Sequence, residues 1–188
     1  MQRGIAVRTA LRPLTRSRSV DIVFWTLAFT AATALSAQVR FPLPFTPVPL
    51  TLQTFFVLLA GVTLGSAWGA ASMGLYLVLG SIGLPIFTGT GVGLAHLAGP
   101  TGGYLLAFPL AAYLAGWIAD RDRGTLRILG ALLAGEVTIL GAGTLWLLLL
   151  TGSSPAYASA IGLLPFLAGD GLKLIAAGLT ARRTGRLL

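Results

Sequence analysis

The chain has 188 residues, of which 55% are hydrophobic and only 10% charged, and its mean hydropathy is +0.86. A water-soluble domain carries about 25% charged residues to wet its surface, so this composition requires an apolar solvent around most of the molecule. With no cysteine and one histidine, disulfides, thiolate metal sites and multi-histidine metal centres are excluded, and the +8 net charge sits in short clusters between apolar stretches, which argues against a nucleic-acid face.

The first twenty residues hold Arg3, Arg8, Arg12, Arg16 and Arg18 and read as a basic cytoplasmic segment. The apolar run that follows, 22–39, ends in small residues as a signal peptide does. It is longer than a signal-peptide core and is followed by further apolar runs, so it is expected to be a retained first span. Six apolar segments can be drawn, at 21–40, 50–66, 68–84, 101–119, 127–150 and 160–181. Each is near the roughly 20 residues that carry an α-helix across a bilayer. The runs are continuous and do not alternate, which favours helices over a barrel. The expected fold is an all-α integral membrane protein with six transmembrane helices: a membrane domain over 21–181 and a basic cytoplasmic tail at 182–188. Only Gly65-Ser66-Ala67 separates the second and third segments, which predicts a tight helical hairpin.

Charge orients this bundle. Five arginines precede the first segment, Arg121, Arg123 and Arg127 lie between the fourth and fifth, and Arg182, Arg183 and Arg186 follow the sixth, making 11 of the 13 basic residues on one side. The connections 41–49, 85–100 and 151–159 carry no arginine or lysine, so both termini are expected to be cytoplasmic. Arg40, at the outer end of the first helix, and Lys173, inside the sixth, are the remaining two.

Function is expected at the outer connections. Residues 41–49 hold four prolines, each fixing φ and lacking an N–H, so the segment should be stiff and extended. It is either a rigid turn or a preformed lid that aims Phe41 and Phe45 at a ligand, with Gln53 adding an amide to the same cavity. The second connection, 85–104, is rich in glycine. Gly89, Gly91 and Gly93 do not have the spacing of a dinucleotide loop, no strand precedes them and no Walker lysine follows, so a nucleotide site is rejected. Those glycines either line a small-ligand site with backbone or serve close helix packing. His96 reads as an interfacial or hydrogen-bonded residue.

Asp170 and Lys173 are the most informative pair in the chain. Three residues apart, they share a helical face within an otherwise apolar span. Ionisable groups inside a membrane are costly and therefore face protein or a wet cavity, usually paired. They form either a self-neutralising structural pair or a polar anchor at the floor of an outward-facing pocket. Glu136, the other buried acid, is either a second pocket group or a hydrogen-bonding partner of a neighbouring helix.

Four blocks carry a resemblance: Pro42-Leu-Pro-Phe-Thr-Pro-Val-Pro-Leu-Thr-Leu-Gln-Thr54, Gly83-Leu-Pro-Ile-Phe87, Gly99-Pro-Thr-Gly-Gly-Tyr104 and Leu164-Pro-Phe-Leu-Ala-Gly-Asp-Gly-Leu-Lys173. Their order and content resemble the signature blocks of the BioY family, the biotin-specific S components of energy-coupling-factor transporters, over residues 22–181. The resemblance implies a six-helix, multi-pass protein of the cell membrane that binds biotin on its outer face. It also implies partners that do the work of transport, a transmembrane coupling subunit and two cytosolic ATPases, and no catalytic residue, cofactor or metal in this chain. It further implies that Asp170 and Lys173 hold polar groups of biotin, with the first and third outer loops around the ligand. Phe41, Phe45, Gln53, Phe87, Thr88, Gly89, Thr90 and Tyr104 complete the expected site. Family members carry a polar amide near 88–90, where this chain has threonine and glycine, so hydroxyls or backbone must substitute.

On the first helix, Ala28, Ala32 and Ser36 repeat every four residues, a spacing that permits close helix approach. In the family such a stripe resembles the docking surface for the coupling subunit; packing within this chain's own bundle is the alternative. Three other readings are weaker or broader. A membrane enzyme using Glu136, His96 and Asp170 finds no catalytic spacing. A stand-alone biotin carrier and an S component for another small vitamin remain open.

Overall fold

The computed structural model describes residues 17–89, 93–121 and 124–188. Within them the chain runs α1 (Arg18–Gln38), β1 (Arg40–Phe41), β2 (Leu50–Thr51), α2 (Gln53–Leu64), α3 (Ser66–Ser81), α4 (Leu94–Leu97), α5 (Gly102–Ala119), α6 (Thr125–Thr151), α7 (Pro155–Gly162) and α8 (Leu167–Thr184). The basic stretch before residue 17, together with Thr90 and Arg123, lies outside the described residues.

Helices α1, α5 and α6 are long and apolar enough to cross a bilayer, and α7 with α8 qualifies as one span bent by 50°. The chain is a multi-pass membrane protein. Helices α2 and α3 have only 12 and 16 residues. At 1.5 Å per residue they rise about 18 and 24 Å, short of the roughly 30 Å hydrocarbon layer. α2 tolerates this because neighbouring helices ensheathe it: every residue from Val57 to Leu64 is buried, and α1, α3, α5, α6 and α8 all pack on it. A Cβ at Gly61 would collide with the Ala112 carbonyl of α5, so glycine permits the backbone-to-backbone contact that places α2 at the centre.

The expected helical hairpin is present. Gly65 alone separates α2 from α3, at φ +86°, a conformation that glycine adopts without a Cβ penalty. That turn belongs to the basic end of the bundle. There Asp120 pairs with Arg186 at 3.0 Å, Asp120 Oδ2 accepts from the Ser66 N–H at 3.4 Å, and the Leu187 N–H donates to the Thr63 carbonyl at 2.9 Å. Arg121 lies 3.7 Å over the Trp117 ring. At the opposite, loop end sit the β1–β2 hairpin, α4 and the turn between α6 and α7.

Two features depart from a plain six-helix reading. The proline-rich segment is stapled at its base by an antiparallel pairing, Arg40 with Thr51 and Phe41 with Leu50; two-residue strands are too short to leave an alternating pattern in sequence. The sixth segment is two helices. Ser154 caps α7 by accepting from the Tyr157 N–H at 3.3 Å, with Pro155 in the first turn. Pro165 then has no N–H to continue the ladder, and α8 restarts at Leu167.

Candidate functional site

Asp170 lies in the first turn of α8 and Lys173 one turn further, so both project from the same face. The Lys173 ammonium donates to Asp170 Oδ1 at 2.6 Å. The residues are 3% and 9% exposed, which makes this a sealed pair and not a surface one. Lys173 also donates to Thr54 Oγ1 in α2 at 3.4 Å. Breaking such a pair strands a charge in an apolar setting, so its two members are held together strongly.

Above the pair, Gln53 opens α2 and organises a polar cluster. Its Nε2 donates to the Tyr76 hydroxyl at 2.8 Å, and its Oε1 accepts from Thr88 Oγ1 at 2.8 Å and from Thr51 Oγ1 at 3.1 Å. The Tyr76 hydroxyl in turn donates to the Ile86 carbonyl at 3.1 Å. Across from Gln53, the Tyr104 hydroxyl donates to the Gly162 carbonyl at 2.6 Å. Its ring rests on Gly143, where any Cβ would collide with it. Gln53, Thr88, Tyr104, Asp170 and Lys173 share a chamber of about 50 Å³ with apolar walls that include Phe108, Ile139 and Phe166. A few convergent polar groups in an apolar recess are the usual composition of a small-molecule site.

A larger vestibule of about 660 Å³ opens at the loop end, lined by Arg40, Pro42, Thr46, Gly89, His96 and others. Pro49, Thr88 and Thr101 line both spaces, so they form the partition between vestibule and chamber. His96 meets Thr101 Oγ1 at 3.2 Å through Nε2 and stacks on Phe87 with centroids 5.2 Å apart. Partial burial holds the His96 pKa below its usual 6.5.

Asp170, Lys173, Gln53, Thr88 and Tyr104 therefore converge on the chamber, and Gly89 lines the vestibule. Phe87 lines neither: it is buried edge-on to Tyr76 in a slot that Gly80 leaves open. Phe41 and Phe45 are 58% and 60% exposed and also line neither. Thr90 lies outside the described residues. The second outer connection, not 151–159, contributes to both spaces. On α1, Ala28 and Ala32 are half-buried while Ser36 is buried and donates to the Thr33 carbonyl. Thr54, Thr101, Phe108, Ile139 and Phe166 were missed. For Thr54 and Thr101, a polar residue beside a helix start at the loop end was the available signal; the apolar three left none.

Glu136 of α6 is 3% exposed and does not line the chamber. Neither of its oxygens has a hydrogen-bond partner among the described residues, and its electrostatic neighbours are Asp170 and Lys173. It brings a second carboxyl towards the Asp170–Lys173 pair of α8. Among the described residues, no group of three or more histidines and acids is arranged to hold a metal.

This arrangement has known counterparts. The sequence profile of the BioY family matches residues 9–188. The chain belongs to the BioY family. It is similar to a protein of Pyrococcus horikoshii named "Probable biotin transporter BioY", 42% identical over 82% of this chain and 90% of the relative. The "Biotin transporter BioY" of Thermotoga maritima is 36% identical over 85% and 92% of the two chains. Among solved structures, "the S-component for biotin from an ECF-type ABC transporter" aligns with a TM-score of 0.84 and 28% identity, covering 91% of this BioY chain and 94% of that one. These relatives are named as biotin transporters and as the S-component of one, and this BioY chain is not an enzyme.

Proposed function

We propose that this chain captures biotin at the outer face of the cell membrane and, as an S component, hands it to a transmembrane coupling subunit driven by two cytosolic ATPases. The observation that carries this reading is the sealed Asp170–Lys173 pair at the floor of a chamber beneath an open vestibule. A BioY fold closely similar to an S component for biotin surrounds it. The remaining chain divides as a basic cytoplasmic segment at 1–20 and a basic tail at 182–188 around the membrane domain at 21–181. The six apolar segments cross the bilayer with both termini in the cytoplasm, α2 and α3 serving as short spans inside the bundle; the clustering of arginines at one end supports this orientation.

In the site, biotin's ureido ring offers two N–H donors and a carbonyl acceptor. Asp170 takes N–H groups and the Lys173 ammonium donates to the carbonyl, while Gln53 and Thr88 supply further polar contacts. The fused rings lie against Tyr104, Phe108 and Phe166. A chamber of about 50 Å³ is smaller than the roughly 300 Å³ at which ligand pockets begin. Entry therefore requires the partition at Pro49, Thr88 and Thr101 to open, and the prolines of 42–49 let that segment move as one stiff piece. Phe87, Phe41 and Phe45 belong to the loops above the chamber more than to its floor. Ala28 and Ala32, half-buried on α1, are the residues that meet the coupling subunit; Ser36 supports them from within the bundle.

The test is binding of biotin, riboflavin, thiamine and lipoate to purified protein, with uptake measured in cells with and without the ATPase module. Biotin alone should bind, and uptake should need the module. Binding of another vitamin in preference to biotin overturns the ligand; uptake unchanged without the module favours a stand-alone carrier. Ala32→Leu should leave biotin binding intact while co-purification with the coupling subunit falls. Loss of binding and stability together would put that face inside the bundle.

A further inference from the structure

We propose that Arg40 recognises the carboxylate of the ligand, so that the vestibule holds the anionic tail while the chamber holds the ring system; this rests on the biotin reading above. Among the described residues Arg40 is the only arginine or lysine lining the vestibule, and it forms no ion pair. No acid among the described residues lines the vestibule: Asp170, in the first turn of α8, lies on the chamber side of the partition, and Asp21 and Asp120 lie at the opposite end of the bundle. An unpaired guanidinium at the mouth of a cavity matches a carboxylate in charge and in its forked geometry.

Its position is fixed from two sides. The pairing of Arg40 with Thr51 holds its backbone on the hairpin two residues before Gln53 opens α2. Its side chain lies over the second loop, where Nη1 is 3.1 Å from the point a Cβ on Gly89 would occupy. The preceding residue, Thr88, bonds Gln53 at 2.8 Å within the chamber. Consecutive residues of one loop thus touch the vestibule cation and the chamber's polar cluster. Gly89, at φ +93°, leaves the guanidinium room to lie there.

The inner floor is the wrong place for a second anion. Lys173 is already matched by Asp170 at 2.6 Å, and Glu136 adds another carboxyl nearby. A ligand carboxylate brought to that depth would lose its water and meet an acid-rich cluster. In the vestibule the same carboxylate keeps part of its hydration and meets an uncommitted cation. A ligand polar at both ends, with a neutral ureido head and an anionic tail, is satisfied only if it stands upright across the partition at Pro49, Thr88 and Thr101.

The experiment compares biotin with its methyl ester by calorimetry on purified parent protein, Arg40→Gln and Arg40→Lys, at low and high salt, with thermal unfolding recorded for each. Arg40→Gln should weaken biotin about tenfold, the scale of one hydrogen bond to a charged group. It should leave the ester at the parent value, and the penalty on biotin should shrink in high salt. Arg40→Lys should retain part of the biotin preference. Equal weakening of biotin and ester would overturn the inference and make Arg40 a support of the loop fold. Unchanged binding of both would also overturn it, leaving the guanidinium to lipid headgroups or water. In either case parent binding of biotin keeps the wider reading, whereas a parent protein that binds neither compound overturns both.

Discussion

In α8, Asp170 and Lys173 stand one turn apart on a regular helix and meet at 2.6 Å, sealed from solvent. In the proline-rich segment above them, Phe41 and Phe45 flank the same site in sequence yet face outward, 58% and 60% exposed. The difference lies in what constrains direction. A helix converts spacing into a shared face, so two charged residues at i and i+3 must look the same way. A loop of prolines fixes its own backbone but gives no periodicity from which side-chain direction follows. The floor is therefore specified by local sequence, and the roof by how the hairpin settles on the bundle.

The sharpest way to break this contrast is to unbalance the floor. Lys173→Met should destabilise the protein by about 3–5 kcal/mol, because Asp170 is left as an uncompensated buried charge. Asp170→Asn should weaken biotin by about 1.5–3 kcal/mol, the worth of hydrogen bonds to a charged group. The double variant should regain stability without regaining binding. Thermal unfolding and calorimetry on the three variants separate these effects. Equal stability and binding in all three would make the pair inert.

Gln53→Leu probes the junction between floor and roof. It removes the acceptor for Thr88 and Thr51 and the donor to Tyr76 together. Stranding buried polar partners costs about 1–3 kcal/mol in all, and stability and biotin affinity should fall together. Loss of neither would mean that water replaces the amide freely.

On the roof, the effects should be smaller. His96 has a pKa below 6.5 because burial disfavours its charged form. Between that folded value and 6.5 the unfolded chain binds more protons than the folded one. Stability should therefore decline as pH falls through 6.5 and level off beneath the folded pKa. His96→Gln should flatten this part of the profile, read as melting temperature from about pH 8 to pH 5. A parent profile already flat in that window would mean that His96 does not link pH to stability. Smallest of all, Phe41→Ala and Phe45→Ala should each shift stability by no more than about 0.5 kcal/mol, as exposed positions do. A larger loss of biotin affinity at either would mean that the closed roof turns these rings inward.

The same contrast governs how much was legible from sequence. The cores of α1, α5 and α6 could be drawn directly because uninterrupted apolar runs admit few alternatives. The break before α8 is present in the sequence as Pro165, inside the apolar segment 160–181; its consequence depends on Ser154 and Pro155 starting a separate helix upstream. The β1–β2 hairpin left no signal, since its pairing is a tertiary event between two-residue strands. Asp170 and Lys173 were found because charge in an apolar span is rare. Phe108, Ile139 and Phe166 were not, because an apolar side chain facing a chamber looks the same in sequence as one facing lipid. Glu136 stood out as a buried acid, but its neighbours arrive from α8, at long range, and only the fold brings them together.

That the α8 pair is the floor of the biotin site is tested most directly by a structure of the biotin-loaded protein. The ureido ring should lie within hydrogen-bond distance, about 2.7–3.2 Å, of both Asp170 and Lys173, with the partition at Pro49 displaced from its present position. Biotin held wholly in the vestibule, above an intact partition and an undisturbed 2.6 Å pair, would contradict it.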